Sequence, residues 1–234
     1  MIYGAVLAGG IGSRMQNTDI PKQFLELDGK PIIIHTLEKM LMNDRIDVVY
    51  IGINPAWLSF CEDLVNKHGC AGERVRVVAG GADRNGTIIN IINDIKAHAP
   101  VGDDDIIVTH DAVRPFLTQR IIEDNINAAI KHGACDTVVK ASDTIVRSEG
   151  GDFITEIPDR KPLYQGQTPQ SFKISLLDKC FAEMTEEESA ILTDACKICV
   201  LKGHPVALVE GEVLNFKITT VGDYQMARAM LLIK

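Results

Sequence analysis

The chain has 234 residues, of which 46% are hydrophobic and 24% are charged, and its formal net charge is −8. This composition is that of a globular protein long enough to bury a substantial core. The acidic balance, with no basic stripe, argues against a general nucleic-acid-binding surface, and no apolar run approaches the roughly 20 residues needed to span a bilayer.

The first predicted element is a short apolar run at residues 2–6, which is typical of a buried strand. It leads into a glycine-rich loop at residues 7–15 (sequence LAGGIGSRM), and residues 21–23 (PKQ) follow closely. Glycines allow bare backbone N–H groups to approach a ligand where any Cβ would clash, and oriented N–H groups of this kind bind phosphate oxygens. Arg14 adds a planar guanidinium that can donate two parallel hydrogen bonds, and Lys22 adds an ammonium group on a flexible side chain. This combination suits a polyphosphate.

Two better-known glycine loops do not fit this stretch. Gly10 and Gly12 begin a dinucleotide-binding fingerprint, but Met15 stands where the third glycine is required. Lys30 is followed by Pro31 and lacks the upstream glycine of a P-loop. An ordinary strand-to-helix turn remains the alternative to a phosphate-binding loop.

Strands and helices alternate after this loop. Helical spacing predicts helices from Pro31, over 55–67, after Gly81 and over 119–132, and apolar runs predict strands at 48–53, 75–79, 106–108 and 137–141. This alternation indicates an α/β, Rossmann-like fold, with a mostly parallel sheet flanked by helices. Ligands bind outside the carboxyl ends of such strands, where we expect the glycine loop, Gly80-Gly81 and His110-Asp111 to meet.

The alternation breaks between residues 142 and 170. Two β-prone segments, 143–147 and 153–156, flank Gly150-Gly151, which predicts a protruding β-hairpin arm. A lone hairpin is marginal unless it packs on something, and a disordered insertion is the alternative. Beyond Lys173 we expect two helices, strands near 206–209 and 216–219, and a closing helix from Val221. We therefore expect one domain over 1–234, with 142–170 as its arm.

Six cysteines are scattered along the chain. Cys196 and Cys199 have a redox or zinc spacing, but no second pair accompanies them, so buried, reduced thiols are expected. The chain enters its first strand without a basic n-region or a cleavage site. We therefore expect a cytoplasmic protein with no membrane or nucleic-acid partner.

Several motifs together resemble a known family. The L-A-G-G-x-G-S-R-M…P-K-Q arrangement resembles nucleotidyltransferases that activate sugar or polyol phosphates, and the likeness is sharpened by residues 80–85, 110–115, 165–170, 193–195 and 215–217. Together these stretches resemble the cytidylyltransferase family that acts on ribitol 5-phosphate or 2-C-methyl-D-erythritol 4-phosphate. The likeness extends from residue 2 to about residue 230.

The acceptor is predicted from the finer likeness. Residues 110–116 (HDAVRPF), 164–170 (YQGQTPQ) and 193–197 (TDACK) are closer to the ribitol-phosphate members. We therefore predict transfer of a cytidylyl group from CTP to D-ribitol 5-phosphate, giving CDP-ribitol and pyrophosphate for a teichoic-acid-type polymer. The alternative acceptor is methylerythritol phosphate, of the non-mevalonate isoprenoid pathway.

The resemblance also implies site residues and partners. Arg14 and Lys22 would act on the triphosphate, and Arg160 and Lys217 on the acceptor phosphate, with Thr144 assisting from the arm. Cytidine contacts are implied for Leu7, Ala8, Gly9, Gly10, Gly81, Ala82, Asp83, Arg84, Asn85, Gly86, Thr87 and Ala112. The resemblance implies a homodimer in which the arm reaches the second subunit, and it makes a pathway reductase a candidate partner.

The chemistry asks little covalent work of the protein. A phosphate monoester is largely dianionic at neutral pH, with a second pKa of about 6, so no protein nucleophile is needed. Charge neutralisation and in-line alignment are needed instead. Asp111 is the expected ligand for a Mg²⁺ ion bridging the phosphates, and a helix cap or a partner for Arg114 is the alternative for it. Asn215 is the expected second ligand, with a carbonyl oxygen in a turn as the alternative. His110 is left unassigned.

Two other function classes share parts of this pattern. An NAD-dependent oxidoreductase would share the sheet, but the missing third glycine and Lys22 count against it. A non-catalytic nucleotide-binding homologue would share the pocket. It should have lost a catalytic cation, yet Arg14, Lys22, Arg160 and Lys217 are all present.

Overall fold

A seven-stranded sheet lies at the centre of the protein in the computed structural model, which describes residues 1–10 and 20–232. In chain order the strands are β1 (Ile2–Ala8), β2 (Glu26–Leu27), β3 (Lys30–Pro31), β4 (Val48–Ile53), β5 (Val75–Ala79), β6 (Ile106–Asp111), β7 (Ala134–Lys140), β8 (Tyr164–Lys173) and β9 (Ala207–Glu210). The short β2 and β3 pair with each other, and the other strands form the large sheet.

The helices connect these strands. They are α1 (Ile32–Leu41), α2 (Leu58–Lys67), α3 (Arg84–His98), α4 (Gln119–His132), α5 (Ile174–Ala182), α6 (Glu186–Ile191), α7 (Ala195–Leu201) and α8 (Val221–Leu232). Side-chain caps begin several of them: Asp83 accepts from Gly86 N at the start of α3, and Thr118 from Ile121 N at the start of α4. Among the described residues, none of the helices is both long and apolar enough to cross a bilayer.

The strand order places a topological switch beside β1. The order is β5-β4-β1-β6-β8-β7-β9, and every strand except β8 runs in the same direction. The chain moves outward from β1 to β5 and then returns to β6 on the other side of β1, where Leu7 pairs with Asp111. Ligands bind at such a switch, outside the carboxyl ends of the strands. The predicted α/β fold with a mostly parallel sheet is therefore confirmed.

Two apolar layers bury both faces of the sheet. One contains Val6 and Ala8 of β1 with the inner faces of α1, α2 and α4. The other contains Tyr3, Ala5 and Leu7 with α3, α5 and α7. Because alternate residues of β1 face the two layers, the strand is apolar throughout, which is why an unbroken apolar run predicted it. The cysteines are free; Cys70 is partly exposed and the other five are buried, close to the prediction.

The strand β8 was not predicted. Its residues up to 170 belong to the predicted arm, but they lie between β6 and β7 in the central sheet. The boundary at 170 is therefore wrong, and we call the remaining segment, residues 142–163, the arm loop. The composition of β8 gives no apolar signal for a strand, because several of its buried residues are polar: Gln167, Thr168, Gln170 and Ser171.

The predicted hairpin of the arm is reduced to one antiparallel bridge, between Arg147 and Glu156, in which Arg147 N donates to Glu156 O at 2.8 Å. The prediction of a strand at 216–219 is wrong. These residues lie outside the sheet, without regular secondary structure, and are attached by a hydrogen bond from Ile218 N to Val113 O of 2.9 Å. Three helices lie between β8 and β9 where two were expected.

Candidate active site

A cavity of about 390 Å³ opens at the switch beside β1. This volume is in the range of small-molecule sites. Its walls come from the segments that follow β1, β4, β5 and β6, and from Lys217. The lining residues are Leu7, Ala8, Gly9, Gly10, Lys22, Gln23, Asn54, Gly81, Ala82, Asp83, Arg84, Thr87, Asp111, Ala112, Val113 and Lys217.

The start of the glycine loop is held from behind by Gln23. Its amide Nε2 donates to the carbonyl oxygens of Ala8 at 2.8 Å and Gly10 at 3.3 Å, which fixes the direction of this backbone. A Cβ on Gly9 would come within 2.9 Å of Thr87 Oγ1, so this position requires glycine. Arg14 lies outside the described residues.

The loop between β5 and α3 is closed on itself. A Cβ on Gly81 would lie 2.4 Å from the carbonyl carbon of Gly86, so only glycine permits this approach. Thr87 Oγ1 accepts from Gly81 N at 3.1 Å and donates to Asp83 O at 2.8 Å. The result is a rigid backbone wall on one side of the cavity. Asn85 and Gly86 lie in the first turn of α3 and do not line the cavity.

Asp111 is the electrostatic centre of the site. Its Oδ1 lies 3.4 Å from Arg84 Nε, and its Oδ2 lies 3.0 Å from Lys217 Nζ and 3.4 Å from Arg114 Nε. Burial by itself would raise the pKa of Asp111, but these three cations outweigh it and hold the pKa well below its usual range. The carboxylate is therefore ionised and surrounded by excess positive charge, as a polyphosphate site requires.

Asn215 supports this arrangement from behind the cavity. It is fully buried. Its side-chain Nδ2 donates to Thr168 O at 2.8 Å, and its backbone carbonyl oxygen accepts from Arg114 Nη1 at 2.7 Å. It does not line the cavity. Its position therefore supports a role in holding Arg114. Its side-chain oxygen Oδ1 is buried and has no hydrogen-bond partner among the described residues, so the role of second metal ligand stays a prediction.

A magnesium ion fits the remaining donor set. Mg²⁺ takes one or two carboxylates and completes its shell with phosphate oxygens and water, and Asp111 offers one carboxylate to the cavity. No cluster of three or more His, Cys, Asp or Glu side chains suited to a metal occurs within residues 1–10 and 20–232. A metal at Asp111 would thus depend on the substrate's phosphates for most of its ligands.

The predicted residues of the arm loop lie apart from this cavity. Thr144 and Arg160 are exposed, and neither lines it. The guanidinium of Arg160 donates to the carbonyl oxygen of Ser142, within the arm loop itself. The described chain therefore does not bring these two residues to its own site.

Most predicted residues do meet at the cavity, and a few of its residues were missed. Gln23, Asn54 and Val113 line it, and Arg114 contacts Asp111, although none was predicted as a site residue. The PKQ motif drew attention to Gln23, but its bond to Ala8 joins distant segments and leaves no local pattern. Asn54 follows β4 directly, so its place after a strand was the available signal.

The switch-point cavity, the glycine loop and the clustered cations define an α/β nucleotidyltransferase. The family model described as 2-C-methyl-D-erythritol 4-phosphate cytidylyltransferase (IspD) matches residues 2–232. The chain belongs to this family and is a CTP-utilising cytidylyltransferase. The predicted enzyme class is thereby confirmed, and the oxidoreductase alternative falls away.

Solved structures agree with this assignment. The 4-diphosphocytidyl-2C-methyl-D-erythritol synthase of Anaerococcus prevotii is 27% identical, with a TM-score of 0.79 over 99% of this chain and 96% of that one. The 2-C-methyl-D-erythritol 4-phosphate cytidylyltransferase of Francisella tularensis is also 27% identical, with a TM-score of 0.82 over 97% and 98%. The Thermus thermophilus enzyme, 24% identical with a TM-score of 0.76 over the full length of both chains, shares the fold.

Proposed function

We propose that the protein transfers the cytidylyl group of CTP to 2-C-methyl-D-erythritol 4-phosphate and releases pyrophosphate. The observation that carries this proposal is the family match over residues 2–232, whose description names this acceptor. The Francisella enzyme carries the same acceptor in its name, and the Anaerococcus enzyme is named for the corresponding product, 4-diphosphocytidyl-2C-methyl-D-erythritol. The reaction would activate a polyol phosphate for isoprenoid precursor synthesis.

Ribitol 5-phosphate is the second candidate acceptor. The observation in its favour is the finer likeness of residues 110–116, 164–170 and 193–197 to the ribitol-phosphate members. The comparisons favour methylerythritol phosphate over this first prediction. Both acceptors are phosphate monoesters of short polyols, so the same charge arrangement serves either one.

The reaction follows from the charges in the cavity. An oxygen of the acceptor phosphate attacks the α-phosphorus of CTP, and a new P–O bond forms as the bond to the β-phosphate oxygen breaks. The electron pair of that bond leaves with pyrophosphate. The attacking monoester is already dianionic, so no general base is required. The protein holds two mutually repelling anions in line and stabilises the charge that develops between them.

The described residues divide these tasks. The backbone walls at 7–10 and 81–87, with Ala112, would hold the cytidine. Lys22, together with Arg14, would neutralise the triphosphate, and Lys217 would meet the acceptor phosphate. Asp111 would hold a Mg²⁺ ion, which when bound supplies further charge neutralisation on the phosphates.

A homodimer would complete the site. Thr144 and Arg160 lie outside the cavity of their own chain, while the arm loop exposes a row of large apolar side chains, with Phe153 83% exposed and Ile154 60% exposed. Exposed apolar side chains on a loop with few contacts of its own favour docking on another surface. We propose that this surface belongs to a second copy, so that each arm loop delivers Arg160 to its neighbour's acceptor phosphate.

A substrate panel tests the proposal. CTP, UTP, ATP and GTP are each combined with methylerythritol 4-phosphate or ribitol 5-phosphate, and pyrophosphate release is followed. We expect the highest kcat/KM with CTP and methylerythritol 4-phosphate. A preference for ribitol 5-phosphate would replace the proposed acceptor with the second one. Absence of pyrophosphate release with every pair would favour the non-catalytic nucleotide-binding homologue.

A further inference from the structure

His110 lies directly behind the site and has no part in the roles assigned above. Side chains alternate along a strand, so His110 and Asp111 project from opposite faces of β6. Asp111 lines the cavity, whereas His110 is fully buried and does not. A buried histidine one residue from the central carboxylate calls for an account of its hydrogen bonds.

Both ring nitrogens of His110 have partners. Nε2 lies 3.1 Å from the carbonyl oxygen of Arg114, and Nδ1 lies 3.0 Å from Thr168 Oγ1. The same hydroxyl oxygen accepts the backbone N–H of Asp111 at 3.1 Å. The imidazole therefore connects β6, the turn that follows it, and the strand β8.

These partners select one tautomer. A carbonyl oxygen only accepts, so the nitrogen facing Arg114, Nε2, carries the hydrogen. The Thr168 hydroxyl accepts from Asp111, and its own hydrogen is donated to Nδ1. Each bond is then satisfied by the neutral imidazole with its hydrogen on Nε2.

This imidazole fixes two residues of the site: Asp111, which lines the cavity, and Arg114, which contacts the Asp111 carboxylate. The backbone N–H of Asp111 is held through Thr168, and the carbonyl of Arg114 is held directly. Nε of the Arg114 side chain donates to Asp111 Oδ2 at 3.4 Å, so the two residues held by the imidazole also contact each other. A shift of the imidazole would thus move both the carboxylate and one of its cations.

We propose that His110 is a positioning residue for cytidylyl transfer, a neutral Nε2–H imidazole that sets the placement of Asp111 and Arg114 without touching a substrate. The inference rests on the cytidylyltransferase activity of the family and, for the acceptor used in its kinetic test, on the proposed function.

Long-range ¹H–¹⁵N NMR of the ¹⁵N-histidine-labelled protein tests the tautomer without any acceptor. We expect a protonated Nε2 and an unprotonated Nδ1 for His110 at neutral pH. Assignment is made by the signal that disappears in His110→Gln. A proton on Nδ1 would overturn the proposal. This readout is independent of which polyol phosphate the enzyme uses, so it separates failure of this inference from failure of the proposed function.

Two substitutions separate the two bonds of the ring. In His110→Gln the amide nitrogen takes the place of Nε2 and keeps the bond to Arg114 O, and in His110→Asn the amide oxygen takes the place of Nδ1 and keeps the bond to Thr168. Losing an outer-layer contact of this kind typically lowers activity about 10- to 100-fold. We expect kcat per CTP-binding molecule to fall by that factor in both variants, with a smaller change in the KM for CTP. His98→Gln, a half-exposed histidine at the end of α3, is the matched control.

Thr168 provides a second pair of variants, should the His110 variants fold poorly. Thr168→Val keeps the shape and removes the hydroxyl, and Thr168→Ser keeps the hydroxyl. We expect Val to reproduce the loss in kcat and Ser to retain most activity. Because His110→Gln and Thr168→Val break the same bond, their combined effect should be less than the product of the single effects. A wild-type kcat per binding-competent molecule in Thr168→Val would overturn the proposal.

Discussion

The ammonium nitrogen of Lys217 lies 3.0 Å from Oδ2 of Asp111, and this contact joins two segments that are distant in the sequence. The bond from Ile218 N to Val113 O attaches the 216–219 segment beside the end of β6. Lys217 is thereby held next to the cavity before any substrate arrives. Asp111 thus acts as an internal anion that keeps three cations together.

Asp111→Asn should lower thermal stability in the absence of ligands, because Arg84, Arg114 and Lys217 then face one another without their shared anion. Lys217 is 40% exposed and partly screened, so we expect a loss of about 1 kcal/mol or somewhat more, which corresponds to roughly 2–4 °C in Tm for a chain of this size. CTP should raise the Tm of the variant more than that of the wild type, since its phosphates replace the missing charge.

The same variant tests the metal role. We expect the Mg²⁺ concentration that gives half-maximal activity to increase when Asp111 becomes Asn. Asp103→Asn, which alters an exposed carboxylate in the loop before β6, is the control and should leave both Tm and the Mg²⁺ dependence unchanged. An unaltered Mg²⁺ midpoint in Asp111→Asn would mean that this carboxylate only organises the cations.

Lys22→Ala should abolish most turnover while the fold stays intact. Lys22 lines the cavity close to the glycine loop, where charge develops in the transition state. Loss of one such donor typically costs about 2.7–4 kcal/mol, roughly a hundred- to a thousandfold in kcat. Steady-state kinetics and a thermal melt check both parts, and Lys67→Ala on the exposed face of α2 is the control. A near-wild-type kcat would remove Lys22 from the mechanism.

The parts of the fold that the sequence predicted share one physical origin. The strands β4 and β5 and the helix α4 have the predicted bounds, because their apolar periodicity reflects burial against the two apolar layers. The strand β8 carries polar side chains into the interior, where most of their polar atoms find partners. Ser171 Oγ donates to Asn125 Oδ1 at 3.1 Å, and Gln170 Nε2 donates to Asp136 Oδ1 at 3.1 Å. A buried polar strand of this kind has no hydrophobic signature.

The residues of the site likewise fall into those that the sequence could predict and those that it could not. Asp111 and the glycines were predictable because they follow strands or stand in motifs whose chemistry is local. Gln23 and Arg114 act through bonds to backbone or side chains of other segments, such as the 2.7 Å bond from Arg114 Nη1 to Asn215 O. Such contacts depend on the tertiary fold, and no spacing in the sequence encodes them.

Asp136→Asn should alter the pH dependence of stability. Burial, together with the negative charge of Asp194, raises the pKa of Asp136 to about 7, against the lowering effects of the hydrogen bond from Gln170 and the charge of Arg84. The unfolded pKa of an aspartate is about 3.9, so the folded state of Asp136 binds its proton more tightly than the unfolded state does. The stabilisation from this proton is fully present below the unfolded pKa and is lost as the pH rises through the folded pKa of about 7. We therefore expect the Tm of the variant minus the Tm of the wild type to increase between pH 5 and pH 7 and to stay constant at higher pH. Melting curves at half-unit pH intervals measure the difference, and a constant offset would contradict the expectation.

The exchange of arm loops between subunits is tested by mixing two inactive variants. Lys22→Ala damages the cavity of its own chain, while Arg160→Ala damages only the arm loop that its chain delivers to a neighbour. After denaturation and joint refolding in equal amounts, half of the dimers are mixed, and each of these has one intact site. About a quarter of wild-type activity should therefore return, an estimate that follows from two-fold pairing of identical chains.

A matched mixture controls for this recovery. Lys22 and Lys217 line the same cavity of one chain, so a mixture of Lys22→Ala with Lys217→Ala has no intact site in any dimer and should stay inactive. Subunit exchange is verified by a size-tagged copy that co-purifies with the untagged one. If exchange is complete and the mixture of Lys22→Ala with Arg160→Ala remains inactive, Arg160 either serves its own chain or has no role in the site. Recovery in both mixtures would show instead that the single variants keep residual activity that refolding unmasks.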